Sequence, residues 1–277
     1  MRRNEITEYY IYSKLAKLNK SEENRKVLDN IAGDEKRHAE ILSAYVSGPA
    51  KPKKGKIRFY IFLARFLGLT FALKLMENGE DKAQATYAKA GGEIPELKAI
   101  IADEDKHENE LLNMLQEDRI RYISSIVLGL NDALVELTGA LAGLTFALRN
   151  TRLIAMAGLI TGIAASFSMA ASEYLSNRAE GESAEAGKSA LYTGIAYIIT
   201  VALLILPYLL FGNYLLCLGI TLAVAILIIF FFNFYISVAK DFNFKRRFLE
   251  MASLSLGVAG LSFGIGALVR TVLGVDI

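Results

Sequence analysis

The chain contains two histidines, and both stand in the same short motif, Glu35-x-x-His38 and Glu104-x-x-His107. Residues three apart on a helix share a face, so each motif aims one carboxylate and one imidazole at a common point. Two such motifs on facing helices, joined by an acid from each of two other helices, make the ligand set of a dinuclear carboxylate site for iron or manganese. An internal repeat selects the remaining acids. Glu5 is followed seven residues later by Tyr12 and then by the first motif, and Glu80 is followed seven later by Tyr87 and then by the second. The repeat favours Glu5 over Glu8, which remains the alternative. It makes Glu80 the principal third-helix acid, with Glu77 one turn earlier as a mobile or additional ligand. The single cysteine, Cys217, excludes a disulfide framework and a CxxC metal site. A metal bound by the two motifs therefore takes oxygen and nitrogen ligands, which suit Fe²⁺ and Mn²⁺ alike.

A second set of chemical residues lies in apolar surroundings. Asp132 falls inside a long apolar stretch with Glu136 one helical turn on, and Met169 and Glu173 stand one turn apart in the next stretch. Carboxylates inside a membrane span are costly and usually face a bundle interior or a water-filled path. Carboxylate oxygen together with a thioether could pass a divalent transition metal and exchange protons.

The elements that must position these groups divide the chain. Of 277 residues, 53% are hydrophobic, yet residues 1–120 carry 41 charged side chains and residues 121–277 only 19. Two domains are expected, 1–118 and 119–277. For the first, the sequence predicts four helices over about Glu5–Leu18, Glu22–Val46, Lys56–Ala90 and Ile94–Asp118, a four-helix bundle pattern. For the second, residues 189–239 are uncharged throughout, twice a span of about 20 residues, and are broken only at Pro207 and Gly212-Asn213. With Tyr122–Leu148, Leu153–Ser172 and Met251–Val269, five spans are expected, and the fold class is all-α. Ile57–Leu75 is apolar too, but Arg58, Arg65 and Lys74 interrupt it at about 3 kcal/mol each near a helix centre, so it is kept in the bundle. Its surplus apolar surface would serve as a dimer face or lie against the membrane.

Arg119, Arg121, Arg178, Lys188, Lys240, Lys245, Arg246 and Arg247 fall on one side of these spans, against Arg149, Arg152 and Arg270 on the other. The positive-inside bias then places the N-terminal domain in the cytoplasm and the C-terminus opposite. The N-terminus, with Arg2, Arg3, Glu5 and Glu8, has no apolar core of signal-peptide length. Glycine pairs at Gly139/Gly143, Gly158/Gly162 and Gly260/Gly264 would let helix backbones approach closely. A net charge of +2 without a basic, aromatic-laced stripe argues against nucleic acid as a partner.

Asn131-Asp-Ala-Leu-Val-Glu136 and Ser168-Met-Ala-Ala-Ser-Glu-Tyr-Leu-Ser176 resemble the signatures of the vacuolar iron transporter family, over about residues 119–277. The resemblance implies a five-span, dimeric exporter of Fe²⁺ and in some members Mn²⁺, driven by proton exchange, with Asp132 and Met169 at pathway positions and Glu173 as an acid of the motif. Two departures stand out. Thr161 replaces an acid found in many relatives, and the acidic helical insert of plant members shrinks here to Asn177–Lys188. Residues 1–118 resemble the ferritin-like superfamily. They resemble rubrerythrin in that Glu77-x-x-Glu80 duplicates its third-helix acids, but the four-cysteine rubredoxin site is lacking. Together the resemblances imply a cytoplasmic di-iron domain that gathers, senses or oxidises iron, fused to a proton-coupled exporter. The alternative is a membrane-anchored di-iron oxidoreductase of ferroxidase or peroxidase-like type.

Overall fold

The computed structural model describes residues 1–46, 48–77, 79, 96–114, 122–181, 184–240 and 242–273, and α-helices are the regular elements among them. The chain divides into two compact units, Met1–Ile120 and Arg121–Ile277.

In the first unit, α1 (Arg2–Leu18) packs on α2 (Glu22–Ser43) and on α3 (Lys54–Phe66), and α2 also packs on α5 (Leu97–Met114). Ser21 begins α2 by accepting a hydrogen bond from the Asn24 amide, as a serine N-cap does. The helix expected over Lys56–Ala90 is interrupted. α3 ends at Phe66, Gly68 takes φ +100°, and a further helical segment, α4, occupies residues 69–77. Only glycine adopts that backbone angle without cost, so a residue that looks tolerable inside an apolar run acts as a stop.

The second unit holds five helices long and apolar enough to cross a membrane: α6 (Ile123–Leu148), α7 (Thr151–Ala179), α8 (Ala186–Leu210), α9 (Tyr214–Ala239) and α10 (Phe244–Leu273). With these five apolar helices, the chain is an integral membrane protein. Asn150 and Asn213 cap α7 and α9 through their side-chain oxygens, which fixes the tight α6–α7 and α8–α9 turns. α7 and α10 run past the expected spans because charge marks the bilayer edge whereas caps mark the helix end. Asn243, for example, receives the Arg246 amide ahead of the charged first turn of α10. Pro207 sits inside α8, and the carbonyls around it are served from α9. The Thr221 hydroxyl donates to Leu204 and the Cys217 thiol to Pro207.

α6 touches each of the other four spans. Its glycines allow this. Gly129 lies against the Thr193 carbonyl of α8, Gly139 against Val258 and Ser262 of α10, and Gly143 against the backbone of Ser262 and of Gly266. Gly158 and Gly162 of α7 accept Ile205 and Val201 of α8. Gly260 and Gly264, in contrast, meet nothing within 4 Å among the described residues, and it is Gly266 that makes the close approach on α10.

Candidate metal centre and membrane path

On α2 the buried stripe reads Leu28, Ile31, Glu35, His38, Leu42, and on α5 it reads Leu97, Ile100, Glu104, His107, Leu111. The spacing and residue types are the same in both. Each helix thus presents a glutamate and a histidine where an amphipathic helix would otherwise place core side chains. Leu42, near the end of α2, clusters with Leu97 and Ile100 at the start of α5, so the two helices run antiparallel and bring their motifs face to face. α1 adds Glu5 from its own buried stripe with Ile11, Tyr12 and Leu15.

The result is a buried cluster in which Glu5, Glu35, His38 and Glu104 could hold a metal ion, each offering a ligand atom within 4.8 Å of the others. Its symmetry is informative. Nδ1 of His38 lies 3.4 Å from Glu104 Oε1 and 4.0 Å from Glu35 Oε2. Nδ1 of His107 lies 3.6 Å from Glu104 Oε2 and 3.6 Å from Glu35 Oε1. Glu35 and Glu104 therefore each turn one oxygen toward each histidine. Glu5 stands 3.9 Å from His38 Nδ1 and completes one half of the site. Glu8, although buried, binds Lys56 Nζ of α3 at 2.8 Å. Glu77 is half-buried at the end of α4, and Glu80 and Tyr87 lie outside the described residues.

The outward ring nitrogens are held crosswise. Asp103 of α5 meets His38 Nε2 at 3.1 Å, and Asp34 of α2 meets His107 Nε2 at 3.1 Å. Arg37 ties both aspartates together, at 2.6 Å from Asp34 and 2.7 Å from Asp103. A carboxylate at Nε2 fixes the proton there and leaves the Nδ1 lone pair facing inward. Among the described residues neither Nδ1 has a hydrogen-bond partner, and a buried polar atom left so costs about 1–3 kcal/mol. The donor set of carboxylates and inward nitrogens fits a hard divalent cation. Neither aspartate was singled out from the sequence, though a signal existed, since an Asp precedes the Glu of both motifs.

Without metal the cluster is electrostatically crowded. Burial pushes the Glu5 carboxyl up to about 7. Burial alone would lower the two imidazoles, but the Glu104 carboxylate between them, with Asp103 beside His38 and Asp34 beside His107, outweighs it and raises both. Burial would raise Glu104, yet His107 and His38 hold it below the usual carboxylate range. Asp34→Asn or Asp103→Asn should weaken metal binding by about 10- to 100-fold, because each removes the partner that orients a ring. Chelator competition on the full-length protein measures this, and unchanged affinity would leave the aspartates no part in orienting the ligands.

In the membrane unit, Asp132 is half-buried on α6, and no hydrogen bond from the described residues reaches its carboxylate. One turn on, Glu136 accepts a hydrogen bond from Tyr197 of α8 at 2.8 Å. On α7, Met169 is half-buried against the core of the unit, and Glu173 accepts from Ser125 of α6 at 2.7 Å. Thr193 of α8 in turn donates to the Ser125 carbonyl, so the three helices are pinned together at one end. The structure thus brings Glu173 to α6 and Glu136 to α8, whereas Asp132 has no hydrogen-bond partner among the described residues. Residues 123–187 match the VIT family model. The VIT-family match spans α6, α7 and the connection to α8, and includes Asp132, Glu136, Met169 and Glu173. It covers less than a quarter of the chain, and no curated protein matches the chain.

Proposed function

We propose that the protein exports Fe²⁺, or Mn²⁺, through the membrane unit in exchange for protons, and that the N-terminal unit is a ferritin-like domain whose dinuclear carboxylate centre gathers the same metal from the cytoplasm. The observation that supports the reading is the match of residues 123–187 to the VIT family model, the segment that holds Asp132, Glu136, Met169 and Glu173. Asp132 supports transport over anchoring, because a span that only anchors gains nothing from an unbonded carboxylate. α7 also leaves Met156, Ile160, Ile163 and Phe167 exposed. We infer that a second copy of the chain meets this region, as the family resemblance implies. The orientation proposed from loop charges puts the metal centre on the side from which the ion is taken.

Glu5, Glu35, His38, Glu104 and His107, completed by Glu77 or Glu80, would hold the pair of ions. Such a centre supplies reversible capture of divalent iron and, with oxygen or peroxide, its oxidation. The chain's own contribution would be to present both imidazoles through Nδ1, with the Nε2 protons of His38 and His107 donated to Asp103 and Asp34, and to supply the Glu35 and Glu104 carboxylates between them. Proteoliposomes containing a pH dye and the full-length protein test the proposal. Added Fe²⁺ or Mn²⁺ should enter while the lumen becomes more alkaline, and flux no greater than in protein-free vesicles would overturn it.

A further inference from the structure

α3 carries a face that neither the metal centre nor the transport path uses. Phe59, Phe62 and Phe66 form one stripe at helical spacing and are 52%, 54% and 66% exposed, with Phe62 and Phe66 in ring contact at 4.5 Å. Lys54, Arg58 and Arg65, all exposed, run along one flank of that stripe, while the opposite side of the helix buries Ile57, Tyr60 and Leu63. Between Glu40 and Glu77 the chain holds seven Lys and Arg and not one acid. Three adjacent exposed phenylalanines on a charged unit mark an interaction surface.

Two occupants suit an apolar stripe, a second copy of the chain or a lipid surface, and the charge decides between them. A twofold contact would set this cationic row against its own copy, and the segment between Glu40 and Glu77 supplies no acid to relieve it. A bilayer bearing anionic headgroups meets both features at once: the phenyl rings enter the boundary of the acyl region and the cations lie at headgroup level. The unit is also covalently tied to helices that cross a bilayer, so weak affinity suffices to hold it there.

We propose that the outer face of α3 docks the N-terminal unit on the anionic surface of the membrane, with Phe59, Phe62 and Phe66 inserted and Lys54, Arg58 and Arg65 paired with lipid phosphates. Each cation contributes about fivefold to the docking equilibrium.

The chain has no tryptophan, so Phe62→Trp provides a single reporter in the full-length protein. It is reconstituted in phosphatidylcholine vesicles with or without phosphatidylglycerol, using acyl chains brominated near the headgroup. The expected result is blue-shifted emission quenched by the brominated lipid in anionic vesicles. Quenching should weaken in pure phosphatidylcholine and with rising salt, and should be lost when Lys54→Gln, Arg58→Gln and Arg65→Gln are added. The salt series needs no charge substitution, so it decides the matter even if that variant does not fold. Quenching that is equal with and without phosphatidylglycerol would overturn the anionic-lipid assignment. Unquenched emission that stays blue-shifted and changes as protein is diluted in the vesicles would assign the face to a second copy instead.

Discussion

Asp132→Asn in the full-length protein should reduce proton-coupled metal flux in proteoliposomes by about two orders of magnitude or more, while leaving the metal content of the N-terminal unit unchanged. Asparagine preserves the size and hydrogen-bonding capacity of the side chain and removes only its charge. A divalent ion in a low-dielectric path depends on that charge, and loss of one partner from a buried ionic contact costs about 3 kcal/mol or more. The neighbouring acids cannot take over without loss elsewhere, since Glu136 is engaged by Tyr197 and Glu173 by Ser125. Both of those bonds join helices, so Glu136→Gln and Glu173→Gln should affect packing as well as flux, whereas Asp132→Asn should act on flux alone. Met169→Ala, which removes a soft ligand, should slow transport to a lesser degree. Undiminished flux in Asp132→Asn would remove this carboxylate from the path.

The parts of this architecture that were legible in the sequence are those set by pattern along one helix. Fifty-one uncharged positions in a row leave little choice but two spans, and Glu35, His38, Glu104 and His107 announce themselves because they interrupt apolar stripes at helical spacing. What was not legible depends on which helix lies opposite. Glu5 and Glu8 sit one turn apart on the same stripe, and Lys56 of α3, 48 residues away, engages the second of them. Asp34 and Asp103 stand among many acids on charged helices, and only the antiparallel pairing of α2 with α5 makes them partners of the opposite histidine. The Gly260/Gly264 pair has the spacing of a packing face, but spacing does not say that the face is occupied, and here the contact falls to Gly266. Gly68 shows the same limit on the backbone: a positive φ breaks a helix whose apolar pattern continues through it.

His38→Ala combined with His107→Ala should abolish stoichiometric metal binding by the N-terminal unit. Each imidazole is the one nitrogen donor in its half of the site among the described residues, and in four-ligand structural zinc sites, which bind with about 10–16 kcal/mol, each ligand accounts for about 3 kcal/mol, or about two orders of magnitude in affinity. The substitutions also strip Asp34 and Asp103 of their ring partners, leaving carboxylates alone to hold the ions. The dependence on pH gives an independent reading of the same cluster. Glu5 titrates near about 7 in the metal-free fold, above its ordinary value of 4.5, so the stability that its protonated form contributes is lost as pH rises from 4.5 to about 7. The two imidazoles, raised in the fold, act in the same direction, their contribution being lost as pH rises through their folded values. Glu104 works the other way, but its lowered value confines its effect to more acidic solution. The metal-free cluster should therefore lose stability on approach to neutrality, whereas metal binding, which requires these same groups deprotonated, should strengthen there and release protons. Calorimetric titration of the full-length protein in detergent, in buffers of different ionisation enthalpy, reads both the proton count and the affinity. Binding that neither releases protons near neutral pH nor depends on the two histidines would place the metal somewhere other than this cluster.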